Sequence, residues 1–440
     1  MTKKNSIDNI KKTASNNVTR RRFVKAAGGA AAFATLAPVV LTSGRAYAAG
    51  RTIKIGYVSP KTGPLAPFAA ADDYVVGGIR KILKNGLKIG GTVHPVEIIV
   101  KDSQSNTNRC AEVAAELILK DKVDIITAAA APDTVNPVSD QAEINEVPCV
   151  TTDCPWQPYF FGRGGNPAKG FDWTYHFFWG LEDVISVFLN LWDSIPNNKV
   201  LGALWPNDAD GNAWGDPKFG FPPALQKAGI KLIDPGRYQP LTDDFSAQIA
   251  AFKKAGVEIV SGNMIPPDFT TFWSQAAQQG FKPKIVTIGK ALLFPPAVEA
   301  QGNRGVGLSS EVWWSPVHPF KSGLTGASAG AMVADFEKTT GKQWTQPLGF
   351  RHALFEVVLD ILKRTKDVNS PASIREAITS TDYNSIVGKV NWGKGPVKNV
   401  TKTPLVGGQW VKGKKHKYDL LVVNNKTAPN VPTQGVFKSI

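Results

Sequence analysis

"VEIIVKDSQSNTNRCAEVAAELILKDKVDIITA", residues 96–128, changes periodicity twice within one short stretch. Its ends, VEIIVKD and VDIITA, are short runs rich in β-branched residues and predict strands. Between them Cys110, Val113, Ala114, Leu117 and Ile118 recur at i, i+3, i+4, i+7 and i+8, the spacing of one buried helix face. A strand, a helix and a second strand in sequence imply a parallel sheet with right-handed crossovers.

Outward from that unit the pattern repeats. TIKIGYVS (52–59) precedes it and VPCVTT (147–152) follows it, both readable as strands. After a glycine-rich break at 162–170 come KVLGALW (199–205), IKLID (230–234), VEIVSG (257–262) and KIVTIG (284–289). Phe245, Ile249 and Phe252 form one stripe of the intervening helix, with Asp243 or Asp244 near its start. Past residue 306 lie VGLSSEVWWS (306–315), a long helix carrying Phe350, Leu354, Val357, Val358 and Ile361, then IVGKVNW (386–392) and YDLLVVN (418–424). The predicted fold is α/β, with two doubly wound, Rossmann-like lobes joined by a multi-strand hinge around a ligand cleft. Lobe one is expected over 49–177 plus about 307–385, and lobe two over 178–306 plus about 386–440. The repeat is architectural, without residue-level similarity between the halves.

The N-terminus reads as an address. Thr19-Arg20-Arg21-Arg22-Phe23-Val24-Lys25 precedes a weakly apolar run from Ala26 to Leu41, and Ala46-Tyr47-Ala48 forms an A-x-A cleavage site. Residues 1–48 are thus expected to be a twin-arginine signal peptide, cleaved near Ala48/Ala49, that engages the twin-arginine export machinery. No cysteine follows the apolar run, so a soluble chain in the periplasm is expected. Residues 1–48 hold nine of the Lys/Arg and one Asp, so +8 of the formal +15 belongs to the leader and +7 to the remainder. The remaining 392 residues suit two domains. The densest later basic cluster, KGKKHK (412–417), lies between apolar strands as a solvated turn, which argues against nucleic acid. Cys110, Cys149 and Cys154 show no metal spacing and leave three different single bridges open.

The stretch WPNDADGNAWGDP (205–217) holds three carboxylates and two tryptophans. Counted as a calcium loop from Asp208, Asp210 and Asn212 fall at positions 3 and 5. Ala213 and Phe219, however, stand where a glycine and a closing glutamate are needed. No metal is expected. Asp208 and Asp210 form an acid–base pair only if their separation is fixed, and such loop pairs are usually solvated. The histidines (His94, His176, His318, His352 and His416) lack H-E-x-x-H spacing, and no G-x-S-x-G elbow occurs. Cys154 sits beside Asp153, which discourages a thiolate. No catalytic residue and no cofactor are expected. Trp156, Trp205, Trp214, Trp313 and Trp314 follow predicted strands and are candidates for an aromatic wall.

The order of IKIGYVSPKTGPLAPF, VEIIVKDSQSNTNRCAEVAAELI, AAAAPDTVNPVSDQAEINEVPCVTT, DDFSAQIAAFKKAGVEIV and GKVNWGKGPVKNVTKTPLVGGQW resembles the periplasmic binding proteins of the leucine/isoleucine/valine type. These deliver solutes to ATP-driven importers, and the resemblance covers nearly all of the chain after the leader. It implies a monomer that closes on a small molecule and docks on the membrane permease of an ABC importer. The ligand would lie at the carboxyl ends of the strands, as α/β geometry also requires. By the same resemblance lobe one offers Phe68, the loop Pro132-Asp133-Thr134 and the loop Asp153-Cys154-Pro155-Trp156. Lobe two offers Trp214, the loop Asn263-Met264-Ile265, and Lys290.

Two departures from the amino-acid binders stand out. Pro132 and Asp133 replace the small hydroxylated residues that hold a ligand carboxylate. Lys290 stands where a carboxylate would hold the ammonium. A lysine there is expected to favour an anion, which points to a small carboxylate with a ring or apolar body. A periplasmic sensor presenting its closed form to a membrane receptor is the alternative role, and a secreted hydrolase the third.

Overall fold

The computed structural model describes residues 50–440, so the expected leader at 1–48 lies outside the described residues. The first series of strands is β1 (Ile53–Ser59), the small hairpin of β2 (Leu87–Ile89) and β3 (Thr92–His94), then β4 (Val96–Asp102), β5 (Ile125–Ala129), β6 (Cys149–Thr152) and β7 (Thr174–Phe177). The second is β8 (Val200–Leu204), β9 (Lys231–Ile233), β10 (Ile259–Gly262), β11 (Ile285–Ile288) and β12 (Ser309–Val312). The chain ends with β13 (Asp382–Ser385), β14 (Gly388–Asn391), β15 (Val400–Thr401), β16 (Val406–Lys412) and β17 (Tyr418–Asn424).

Two sheets result. One has the order β15-β7-β6-β5-β1-β4, with every pair parallel. The other has the order β17-β16-β12-β11-β10-β8-β9, parallel from β9 to β12 and antiparallel at the β12–β16–β17 end. In each, the first strand sits between the second and the third, so the connections reverse direction beside β1 and again beside β8. Crevices of this kind, at the carboxyl ends of the strands, are where doubly wound sheets bind ligands. Strands covered on both faces read as continuous apolar runs, which is why IITAA and IVTI are wholly buried.

The helices follow their stripes. Thr107–Ala115 starts at Asn106, whose side chain accepts from the Arg109 N–H, and it continues as one wider π turn over Glu116–Lys120. Cys110, Val113, Ala114, Leu117 and Ile118 are buried along it. KGKKHK closes the β16–β17 hairpin with its lysines exposed, as expected of a solvated turn. All three cysteines are free and buried, so none of the three bridges forms.

The chain crosses between sheets three times: from β7 to the helix Leu181–Trp192, from β12 to the helix Pro347–Arg364, and from β15 to β16. Two of these crossings differ from the expected boundaries. β12, placed with lobe one, pairs with β11 and β16 in the seven-stranded sheet. β14 and β15 were placed in lobe two. Instead β15 runs parallel to β7, with Val400 beside His176, and β14 pairs with β13, which packs on the helix Pro347–Arg364. Short strands at a hinge take whichever open sheet edge they reach, and their own residues do not encode that choice. Gln346 secures the second crossing, accepting from the Trp313 N–H (2.7 Å) and donating to the Glu311 carbonyl (3.1 Å).

Candidate functional site

The carboxyl ends of both sheets converge on one cleft. From the six-stranded sheet come Phe68 after β1, Ala131 after β5, Asp153 and Pro155 after β6, and Phe178 and Trp179 after β7. From the seven-stranded sheet come Asp210 and Trp214 after β8, Asn263 after β10, and Lys290 and Leu293 after β11, together with Glu311 of β12 and Trp313 just beyond it.

Within the stretch 205–217, Ala209–Trp214 forms a short helix. Asp208 caps it, one oxygen accepting from the Gly211 N–H at 2.7 Å. The other oxygen accepts from Lys290 Nζ at 3.2 Å, and Asp210 lies 2.6 Å from the same nitrogen. Asp216 turns away and caps the Lys218 and Phe219 N–H groups. Asp208 and Asp210 are therefore committed to Lys290 and Asp216 to the backbone, so the three do not converge on one metal cation. Asp210, expected to be solvated, is buried. Among the described residues no cluster of three or more His, Cys, Asp or Glu is arranged to hold a metal.

Lys290 departs most from its expected role. It is only 8 % exposed, and its ammonium is already neutralised by Asp208 and Asp210, with Asp133 adding to the local negative field. It does not present a free cation to an anionic ligand. Burial alone would lower its pKa, but the three carboxylates outweigh burial and hold the ammonium charged. Its backbone sits at φ 59° and ψ −69°, and the Ala291 N–H donates to the Gly289 carbonyl at 2.7 Å. This is the strained hand of the γ-turn. Ala131 (φ 61°) and Asp153 (φ 69°) are also left-handed, so three non-glycine residues of the cavity wall hold conformations that cost about 1–3 kcal/mol each.

A second buried cation lies behind the opposite wall. Arg351, on the helix Pro347–Arg364, is 0 % exposed. Its guanidinium donates to Asp72 (3.1 Å), to the Phe68 carbonyl (3.0 Å) and to Asp153 Oδ2. Tyr57 and Ser59 complete the Asp72 side of the cluster. Burial pushes Asp153 up to about 6 against the pull of Arg351, and Asp210 up to about 6 against the pull of Lys290. Burial likewise raises Glu311 to about 7, although Ser310 Oγ donates to its carboxylate at 2.8 Å.

Several polar atoms in this wall are buried without any hydrogen-bond partner in the protein. They are Asp153 Oδ1, Asp210 Oδ1, both amide atoms of Asn263, and the indole nitrogens of Trp179 and Trp313. Buried polar groups are normally satisfied, and each orphan costs about 1–3 kcal/mol. Six such atoms around one cavity are a ready set of contacts for a polar solute.

Of the ten residues singled out from sequence, Phe68, Asp153, Trp214, Asn263 and Lys290 line the cavity. The other five sit behind or beside it. Asp133 and Thr134 open the helix Pro132–Ile144, and Ile265 caps the helix Pro266–Gln278. Cys154 is buried against His176, whose Nε2 hydrogen-bonds the Cys154 carbonyl at 2.8 Å. Trp156 donates to Glu182 (3.1 Å) at the first crossing. Of the remaining candidate tryptophans only Trp313 lines the cavity; Trp314 donates to the Ile386 carbonyl and Trp205 packs under Arg237. Sequence reading set Asp210 aside as solvated and missed Glu311, Phe178, Trp179 and Arg351. Phe178 and Trp179 directly follow β7, a strand of four residues too short to stand out.

The fold and this cavity define a class: two doubly wound sheets whose strand ends enclose a polar, aromatic-walled cleft. The periplasmic binding protein family model matches residues 52–415, and the chain belongs to that family. It is a solute-binding protein. Among solved structures it is similar to a leucine-binding protein from Thermotoga maritima, with TM-score 0.69 and 20 % identity over 85 % of this chain and 99 % of that one. It is also similar to a branched-chain amino acid transporter substrate-binding protein from Streptococcus pneumoniae in complex with isoleucine, with TM-score 0.68 and 15 % identity over 84 % and 99 %. A third is an ABC-transporter solute-binding protein from R. palustris in complex with 4-hydroxybenzoate, with TM-score 0.69 and 17 % identity over 87 % and 98 %. No match is found among curated proteins.

Proposed function

We propose that this protein is the exported solute-binding subunit of an ABC importer, capturing one small organic solute between its two lobes and presenting the closed form to a membrane permease. The observation that carries this reading is the set of buried, unpartnered polar atoms contributed by the ends of both sheets. A solute that satisfies atoms on both sides stabilises the closed arrangement by its difference in affinity for the two states. Asp153, Asp210, Asn263, Trp179 and Trp313 make the polar contacts, and Phe68 and Trp214 supply apolar walls. Lys290, in the wall, and Arg351, behind it, act as positioning residues. Family membership supports this role, as do neighbours that bind leucine-type amino acids and 4-hydroxybenzoate. Among the described residues no helix is long and apolar enough to cross a membrane.

Export follows from the leader. Replacing Arg20 and Arg21 by lysine keeps the charge but removes the twin-arginine signature, and should strand the precursor in the cytoplasm. Normal appearance of the processed chain outside the inner membrane would contradict that route. For the cleft, denaturing the purified protein and analysing the released small molecules by mass spectrometry should give about one solute per chain. Asn263→Ala should retain less of it. Equal retention in the variant, or no solute released and none taken up from a library of organic acids, amines and amides, would count against the cleft.

A further inference from the structure

Asp153 and Asp210 are built alike from opposite sides of the cavity. In each, one carboxylate oxygen is held by a buried cation: Arg351 for Asp153 Oδ2, and Lys290, at 2.6 Å, for Asp210 Oδ2. In each the other oxygen, Oδ1, is buried without a partner. The supporting cation fixes one oxygen of the carboxylate and leaves the other, on a residue that lines the cavity, without a donor. We propose, resting on the solute-capture reading above, that the cleft selects an organic cation (a primary ammonium, amidinium or guanidinium) whose N–H groups bond both Asp153 and Asp210. We further propose that it requires no carboxylate on that solute.

Three features of the wall support this selection. First, both cations at the site are already engaged. Arg351 is shared between Asp72, Asp153 and the Phe68 carbonyl, and Lys290 between Asp208 and Asp210. Against these two cations stand Asp72, Asp133, Asp153, Asp208, Asp210 and Glu311, so an entering anion meets an excess of negative charge in a partly dry space. Second, Phe68, Phe178, Trp179, Trp214 and Trp313 surround the same space. Phe178 packs edge-on against Trp313 with centroids 5.0 Å apart, and Phe68 stacks on Trp313 at 6.3 Å. Aromatic faces attract a cation, most strongly when it is desolvated. Third, the two orphan oxygens accept hydrogen bonds. A quaternary ammonium offers the aromatic walls a charge but offers these atoms no N–H, and a neutral amide offers N–H without charge. The indoles of Trp179 and Trp313 remain free to donate to a carbonyl or hydroxyl elsewhere on the solute.

The test is a matched panel measured by thermal shift and calorimetry: isopentylamine, benzylamine, benzamidine, agmatine, benzyltrimethylammonium, 4-methylpentanamide, benzamide, 4-methylpentanoate, benzoate and leucine. At least one of the four N–H cations should bind at least tenfold more tightly than its matched acid, amide or quaternary analogue. Asp210→Asn should weaken that binding at least tenfold, and Glu311→Gln at least threefold. If Asp210→Asn fails to fold, judged by its circular dichroism melt, Glu311→Gln carries the comparison. Binding of an acid or amide as tight as that of its amine would overturn the cation assignment while leaving solute capture intact. Binding of leucine without any of the four carboxylate-free cations would do the same. No binding anywhere in the panel would overturn the cation assignment, and solute capture would then be judged by the released-solute measurement.

Discussion

Arg351 sits in the middle of the long helix, fully buried, with two carboxylates and a carbonyl around its guanidinium. Arg351→Met leaves Asp72 and Asp153 buried without a counter-charge. Removing one partner of a buried pair typically costs about 3–5 kcal/mol, and urea unfolding should show a loss of that size. Pairing it with Asp153→Asn should recover part of the loss; a fully additive double variant would mean that the two side chains do not act as a unit. The carboxyls of the cavity predict a pH dependence. Asp153 and Asp210 are raised to about 6 from 3.8, and Glu311 to about 7 from 4.5. A raised carboxyl takes its proton more readily in the folded state. Its contribution to stability is therefore complete below the unfolded value and is lost as pH rises through the folded one. Between about pH 4 and 7 the ligand-free wild type should lose stability relative to Asp210→Asn, as read by urea titration at each pH. Affinity for an N–H cation should rise over the same window, because the ionised carboxylates bind it.

At the scale of elements, Asp208 does two tasks that substitutions can separate. Asp208→Asn keeps the cap on Ala209–Trp214 but removes a charge from Lys290, whereas Asp208→Ala also loses the cap, an additional cost of about 0.5–2 kcal/mol. Equal stability of the two variants in denaturant would show the cap to be idle. Gly289, at the end of β11, has Trp214 and Glu311 close beside it. A Cβ there would stand 2.9 Å from the Trp214 ring and 3.3 Å from both Glu311 oxygens. Gly289→Ala should thus move a cavity wall, weakening solute binding several-fold, at a stability cost of about 1–3 kcal/mol. Unchanged binding would place Trp214 outside the contact surface. These elements also show what could be read from sequence. YDLLVVN coincides with β17, where buried and half-buried residues alternate, and VEIIVKD coincides with β4, an edge strand legible from its β-branched run. The helix at 209–214 stayed hidden because its cap and first turn, Asp208 to Asp210, read equally well as a polar loop. Lys290 was misjudged for a different reason: a sequence displays a side chain's charge but not its partner, here 82 residues earlier at Asp208. Arg351 was invisible for the same reason, standing within a helix whose apolar stripe drew the attention.

Over the whole molecule, the same strand order in both sheets and three crossings between them place two sets of strand ends around one cavity. A solute held by both sets should raise the melting temperature by mass action. Calcium or a chelator should leave it unchanged, since the carboxylates of 205–217 already serve Lys290 and the backbone. A chelator-induced drop reversed by calcium would contradict that assignment of the loop. The central claim is that one solute is captured where the two sheets meet. A crystal structure of the complex with the tightest-binding compound tests it most directly. Density for one molecule should lie between Asp153 and Asp210, with hydrogen bonds to the unpartnered atoms and the walls of Phe68 and Trp214 against it. Density at another surface, with this cavity empty of the compound, would contradict it.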